Sequence, residues 1–84
     1  MKLTNSQEEY LKTIYILEKS NGKIRVTDIA KKLKITKPSV NRAIKNLKDI
    51  NLLNYETYGE IKLTQEGEKI AQEILKREDV MKLF

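Results

Sequence analysis

The fold is decided by residues 26–48, which read VTDIAKKLKITKPSVNRAIKNLK. Two helical patterns lie in this stretch, and only a few residues separate them. Each pattern carries an apolar stripe at helical spacing, formed by Ile29, Ala30 and Leu33 in the first and by Val40, Ile44 and Leu47 in the second. Two amphipathic helices joined by so short a connection are typical of a helix-turn-helix.

The ends of these two helices are marked by threonines. Thr27 is predicted to cap the first helix, with Asp28 in the first turn, where a carboxylate opposes the helix dipole. Thr36 is predicted to cap the second helix, which runs over residues 37–50. Pro38 then falls in its first turn, where a missing backbone N–H leaves no helical hydrogen bond unmade. Capping is the first role that we assign to both threonines.

The segment before this stretch predicts one more helix and a short extended piece. Ser6 and Glu9 have the spacing of a capping box, and apolar residues follow at helical intervals, namely Tyr10, Leu11, Ile14 and Leu17. Gly22 suits the left-handed residue that ends such a helix. Residues 23–26 alternate polar and apolar side chains, which indicates a small strand.

The segment after the stretch predicts a β-hairpin and a fourth helix. Residues 52–57 and 60–64 alternate around Gly59, and Tyr55 is expected in the apolar core of the hairpin. Thr64 is predicted to cap a helix whose apolar residues are Ile70, Ala71, Ile74 and Leu75. The fold class is therefore mainly α with a small β-hairpin, a winged helix-turn-helix. We expect one domain over residues 1–84, with residues 75–84 as the start of a dimerisation region.

Charge and composition narrow the possible functions. The 84 residues carry a net charge of +5, yet residues 23–48 hold nine basic side chains and only one acidic side chain. A concentrated basic field attracts polyanions such as nucleic acid, although a solvated lysine-rich surface would look the same. The chain has no Cys and no His, which excludes disulfides, thiolate zinc sites and most nucleophile–base pairs. We therefore expect that the protein is not an enzyme.

Hydropathy argues against a membrane protein. No apolar run approaches the roughly 20 residues that a transmembrane helix needs. The first ten residues, MKLTNSQEEY, also lack the apolar stretch of a signal peptide. We expect a soluble, cytoplasmic protein that does not associate with membranes.

The second helix of the helix-turn-helix has a polar outer face. Because its apolar stripe points inward, a helical wheel places Ser39, Arg42, Lys45 and Asn46 outward, with Asn41 and Lys48 on the flank. Arg42 can pair with both acceptors of a guanine, and Asn46 can pair with an adenine. The predicted phosphate contacts are Thr36, Lys37, Lys45 and Lys48, with Tyr58 at the hairpin tip as a further backbone contact. The alternative is a winged helix that binds another protein and not DNA.

Most of the chain resembles the N-terminal domain of iron-dependent repressors, the diphtheria toxin repressor and manganese transport regulator family. The matching stretches are Glu9-Tyr10-Leu11 with Thr13-Ile14-Tyr15, Val26-Thr27-Asp28-Ile29-Ala30, Lys37-Pro38-Ser39-Val40, Leu52-Leu53-Asn54-Tyr55-Glu56 with Tyr58, and Leu63-Thr64-Gln65-Glu66-Gly67. The resemblance implies a repressor that binds double-stranded DNA as a homodimer, through a helical region after this domain. It also assigns DNA contact to Thr27, Thr36, Pro38, Ser39, Asn41 and Arg42.

The resemblance also implies a regulatory Mn or Fe ion in the full-length family. Glu9 stands at a ligand position of the first helix, and Glu78 stands where the family usually has a histidine. Lys12 and Lys82 replace acidic ligands that some members have, and Gly59 and Glu60 replace the Arg-Gly that often follows the wing tyrosine. A Glu9/Glu78 pair could hold a hard divalent ion weakly, or both could be ordinary surface acids. We expect no tight metal binding by this chain.

Overall fold

The computed structural model describes residues 3–55 and 59–82, with side chains as far as residue 77 in the last helix. Within these ranges the chain forms four helices and one antiparallel two-stranded sheet. The elements in order are α1 (Asn5–Asn21), α2 (Val26–Leu33), α3 (Lys37–Asp49), β1 (Leu53–Tyr55), β2 (Ile61–Leu63) and α4 (Gln65–Lys82). The predicted order of helices and hairpin is confirmed.

The N-cap of α1 lies two residues before the predicted one. The Thr4 hydroxyl accepts a hydrogen bond from the Gln7 amide at 3.1 Å, and the Gln7 side chain accepts one from the Thr4 amide at 2.9 Å. Thr4 and Gln7 therefore form the capping box. The prediction of Ser6 as N-cap is wrong, because the same Ser/Thr-x-x-Glu/Gln spacing occurs two residues upstream and starts the helix there.

Helix α2 also starts earlier than predicted. Arg25 is the N-cap, and the Asp28 carboxylate accepts a hydrogen bond from the Arg25 amide at 2.9 Å. Thr27 lies inside the first turn and does not cap the helix, so that prediction is wrong. The Asp28 carboxylate instead satisfies the backbone amide of Arg25, which places the cap two residues before Thr27. The helix ends as predicted, with Lys34 in the left-handed conformation at φ 58°.

Helix α3 follows the prediction closely. Thr36 is its N-cap, and the Thr36 hydroxyl accepts a hydrogen bond from the Ser39 amide at 3.3 Å. Pro38 occupies the first turn. The stripe of Val40, Ile44 and Leu47 is buried, which confirms the inward face of this helix.

The hairpin packs against the segment that links α1 and α2. Leu53 pairs with Leu63 and Tyr55 with Ile61. On the other edge of β2, the Ile61 amide donates to the Ile24 carbonyl oxygen at 2.9 Å. Residues 23–26 do not form the predicted strand, because the Leu63 amide donates to the Glu18 carboxylate at 3.2 Å and not to a further backbone carbonyl.

The core joins all six elements. Its fully buried residues include Leu11 and Ile14 of α1, and Ala71 of α4 packs into the same cluster; the other buried hydrophobic side chains are Ile24, Ile29, Ala30, Val40, Ile44, Leu47, Leu52, Leu53, Ile61, Leu63 and Ile74. Helix α4 starts at the predicted cap, since the Thr64 hydroxyl accepts from the Gly67 amide at 3.0 Å. This core holds α3 and the hairpin against α1 and α4.

Candidate nucleic-acid interface

The candidate interface is built on α3. Burial of Val40, Ile44 and Leu47 against the core leaves the opposite side of the helix in solvent. The nine residues of α3 and its cap that were predicted to contact DNA are all exposed, namely Thr36, Lys37, Pro38, Ser39, Asn41, Arg42, Lys45, Asn46 and Lys48. The fold therefore brings them onto the outer surface of one helix. Thr27 stands apart, half-buried in the first turn of α2.

The N-terminal end of α3 is held by side chains. The Thr36 hydroxyl donates a hydrogen bond to the Ser39 hydroxyl oxygen at 2.9 Å, in addition to accepting from the Ser39 amide. This pair fixes the first turn and leaves the Ser39 hydroxyl hydrogen free to reach an external acceptor. A helix N-terminus with such a cap presents partial positive charge to an approaching phosphate.

The cations of α3 keep their charge available. No acidic residue occurs between Lys37 and Lys48. In the described part of the chain, Lys37, Arg42, Lys45 and Lys48 make no ion pair. Ion pairs between described residues lie outside α3, where they join Glu9 to Lys12, Lys19 to Glu68, Glu60 to Lys62, and Glu8 to Arg77.

One of those surface pairs is strong enough to affect titration. The Glu68 carboxylate accepts a hydrogen bond from the Lys19 ammonium at 3.2 Å and raises the pKa of that lysine. The pair links α1 to α4 on an exposed surface away from α3. Acidic side chains of this domain thus neutralise cations on α1 and α4, and the positive charge that is left over is concentrated on α2 and α3.

A cleft runs between α3 and the hairpin. It measures about 220 Å³ and is lined by Asn41, Ile44, Lys45, Lys48 and Tyr55. Tyr55 was expected in the hairpin core, but 44% of its surface is exposed, so that prediction is wrong. Leu53, two residues earlier on the same face, fills the core, and Tyr55 extends beyond it.

The wing tip follows β1. Tyr58, which was predicted to contact the DNA backbone, lies among residues 56–58, outside the described residues. Gly59 follows with a positive φ of 81°, as a tight hairpin turn requires.

Of the two predicted metal ligands, only Glu9 has a side chain among the described residues. The Glu9 carboxylate is half exposed and lies 3.0 Å from the Lys12 ammonium. Among the described side chains no cluster of three or more His, Cys, Asp or Glu residues could hold a metal ion. The Glu78 side chain lies outside the described residues. A single carboxylate that already faces an ammonium does not fit a tightly bound divalent ion, which needs several oxygen ligands.

Comparison with known families agrees with this geometry. The family model described as "Iron dependent repressor, N-terminal DNA binding domain" matches residues 2–61. This chain belongs to the iron-dependent repressor family. The match covers α1, the helix-turn-helix and the first part of the hairpin, which confirms the resemblance seen in the sequence.

Curated relatives in the iron-dependent repressor family are transcriptional regulators. The chain is 37% identical over 81 residues to the HTH-type transcriptional regulator MntR of Geobacillus thermodenitrificans, which covers 96% of this chain and 57% of that protein. It is 33% identical to MntR of Lysinibacillus sphaericus, over 96% of this chain and 58% of that protein. The chain thus spans little more than half the length of these relatives. Since the relatives are regulators, the expectation that the chain is not an enzyme is confirmed.

Solved structures place the iron-dependent repressor domain among winged-helix regulators. MepR, a transcription regulator of the Staphylococcus aureus multidrug efflux pump MepA, superimposes with a TM-score of 0.78 at 28% identity, over 96% of this chain and 60% of MepR. MepR in its complex with DNA superimposes with a TM-score of 0.76 at 26% identity, over 96% of this chain and 62% of MepR. AF1382 from Archaeoglobus fulgidus superimposes with a TM-score of 0.84 at 30% identity, over 94% of this chain and 91% of AF1382. The winged helix-turn-helix fold is confirmed.

Proposed function

We propose that this domain binds double-stranded DNA with sequence preference, and that it serves as the DNA-binding part of a metal-responsive transcription regulator. The observation that carries the proposal is the outer face of α3. Lys37, Arg42, Lys45 and Lys48 are exposed there, and none of them is neutralised by a carboxylate of the described residues. An unneutralised cationic helix next to a hairpin wing suits the major groove of duplex DNA.

The side chains of α3 divide into two groups by chemistry. Arg42 and Asn46 can each make two hydrogen bonds to a base edge, so we assign base reading to them, with Ser39 and Asn41 beside them. Pro38 and the cap residue Thr36 set the approach of the helix end. Lys37, Lys45 and Lys48 are assigned to phosphates, which position the domain without reading sequence.

The alternative of a protein-binding module has less support. A helix that docks on another protein normally presents apolar anchors, and the outer face of α3 has none among its exposed residues. The large hydrophobic residues exposed in the described part of the chain are Ile16 on α1 and Tyr55 on β1. Only Tyr55 adjoins α3, and it is an amphipathic residue in a cleft that carries two lysines.

The remaining properties belong to the full-length protein. We propose that it is a cytoplasmic homodimer that pairs through residues after this domain and responds to Mn or Fe with ligands supplied largely from there. A dimer of this kind places two reading helices about 34–36 Å apart, one turn of the double helix, on a palindromic site. No helix among the described residues is long and apolar enough to cross a membrane.

An amide NMR titration tests the proposal. Addition of a random-sequence duplex at low salt should shift resonances of Thr36 to Lys48, with a Kd on the order of 10⁻⁴–10⁻⁶ M. Added salt should reverse the shifts, because phosphate contacts release counterions. Shifts confined to α1 and α4, or none at all, would refute DNA binding through α3.

A further inference from the structure

The cleft between α3 and β1 combines two cations with an exposed aromatic ring. We propose that it seats one sugar-phosphate unit of the DNA backbone, and that the Tyr55 hydroxyl and the Lys48 ammonium bind the same phosphate. This inference rests on the DNA binding proposed above and adds the wing strand to the interface. It gives Tyr55 a role in affinity that its place in the hairpin sequence did not indicate.

Charge determines the class of ligand. The five described residues that line the cleft include Lys45 and Lys48, both exposed, and no acidic residue. Asn41 adds an amide that can donate to an oxygen acceptor. A cleft with two ammonium groups, an amide and no carboxylate favours an anion over a neutral or cationic ligand.

Size separates a polymer from a free small molecule. Pockets that enclose a small-molecule effector measure about 300–1,000 Å³ and bury most of the ligand. The cleft measures about 220 Å³, and three of its lining residues, Asn41, Lys45 and Lys48, belong to the exposed surface of α3. A short segment of a long chain that is already held by α3 fits this shape better than a free ligand, which would need its own enclosure.

Tyr55 has the chemistry that such a segment requires. Its hydroxyl makes no side-chain hydrogen bond to any residue in the described ranges, and it lies 4.0 Å from the position of a Cβ built on Gly59. The ring therefore lies along the hairpin with its polar end towards the turn. An aromatic face packs against a deoxyribose, while a phenolic O–H donates to a phosphate oxygen. The nearly buried Ile44 gives the cleft an apolar surface for the sugar.

The experiment is a double-mutant cycle on the 84-residue chain, with a labelled random-sequence duplex as the probe. Tyr55→Phe keeps the ring and removes only the hydroxyl, so we expect binding about two- to tenfold weaker with an unchanged salt slope. Lys48→Ala should weaken binding and reduce the salt slope by about 0.9. If both groups hold one phosphate, the double variant should lose less than the product of the two single losses.

Matched controls keep the test specific. Tyr15→Phe removes a hydroxyl that accepts from Gln72 on α4, and it should leave DNA binding unchanged. Lys37 lies eleven residues from Lys48, about 16 Å along α3. The loss of DNA affinity in Lys37→Ala should therefore multiply with the loss in Tyr55→Phe. Thermal melting of each variant checks that it is folded.

The outcomes separate this inference from the general proposal. Unchanged binding by Tyr55→Phe would overturn the cleft contact while the wild-type chain still binds DNA through α3. Losses that multiply for Tyr55→Phe with Lys48→Ala, as they do with Lys37→Ala, would also overturn it, because they exclude a shared phosphate. Absence of binding by the wild-type chain would instead contradict the proposed function itself.

Discussion

The Leu63 amide of the wing donates a hydrogen bond to the Glu18 carboxylate of α1, at 3.2 Å. The next amide on the same edge, that of Ile61, donates to the Ile24 carbonyl oxygen. Together these two bonds satisfy both amides on the edge of β2 that does not face β1. They also fix the hairpin, and with it Tyr55, relative to α1 and to the segment that links α1 to α2.

Loss of the Glu18 carboxylate should loosen the wing. Glu18→Ala leaves the part-buried Leu63 amide without its acceptor, so we expect the free energy of unfolding to fall by about 1–3 kcal/mol. Glu18→Gln keeps an acceptor oxygen and should lose less. Urea denaturation gives the stability, and hydrogen exchange at the Leu63 amide reports the wing. Equal stability of wild type and Glu18→Ala would contradict this assignment.

Gly67 is close to the backbone before the wing. It lies in the first turn of α4, and a Cβ at this position would collide with the Leu52 carbonyl oxygen. Helix propensity alone predicts that Gly67→Ala stabilises the helix by about 1 kcal/mol. The collision predicts a loss of about 1–3 kcal/mol, and we expect the loss to prevail because backbone cannot move aside as a side chain can.

Thermal or urea unfolding of Gly67→Ala shows whether the substitution raises or lowers the free energy of unfolding. Lys69→Ala, on an exposed position of the same helix, should change stability by less than about 0.5 kcal/mol and serves as the control. A stabilised Gly67→Ala variant would show that α4 and Leu52 are not in the contact described.

The Glu9–Lys12 ion pair predicts weak response of this chain to metal. Because the Lys12 ammonium lies 3.0 Å from the Glu9 carboxylate, it competes with any divalent cation for that group. In an NMR titration with Mn²⁺, we expect little selective broadening near Glu9 in the wild type and more in Lys12→Gln.

Lys19→Gln provides the matched control for this titration, since it removes an ammonium of the same helix that pairs with Glu68 of α4 and not with Glu9. It should leave the resonances near Glu9 unchanged. Saturable, localised broadening at Glu9 in the wild-type chain would show that Lys12 does not exclude the cation.

The features that the sequence predicted well are local ones. The Thr36 cap, Pro38 in the first turn and the inward stripe of α3 depend on residues within one helix, and all are confirmed. Where two local patterns competed, the choice was less secure. Thr4 and Ser6 both start a capping-box spacing, and the cap forms at Thr4.

The features that the sequence missed depend on distant residues. Residues 23–26 have strand periodicity, but a strand also needs a partner edge, and the Glu18 carboxylate takes one position on that edge. Tyr55 has the periodicity of a core residue, yet the core ends at Leu53. No pattern within the hairpin reveals how far the underlying helices extend, so its exposure required the assembled fold.

The most direct test of whether α3 reads DNA sequence is the sequence dependence of DNA binding by Arg42→Ala. Duplexes selected from a random pool by the wild-type chain provide the preferred site, and a scrambled duplex provides the reference. Because we assign Arg42 to a base and Lys45 to a phosphate, Arg42→Ala should cost about 1–3 kcal/mol on the selected site alone. Lys45→Ala should weaken both duplexes alike. Equal losses on both duplexes for Arg42→Ala would contradict the claim that α3 reads DNA sequence.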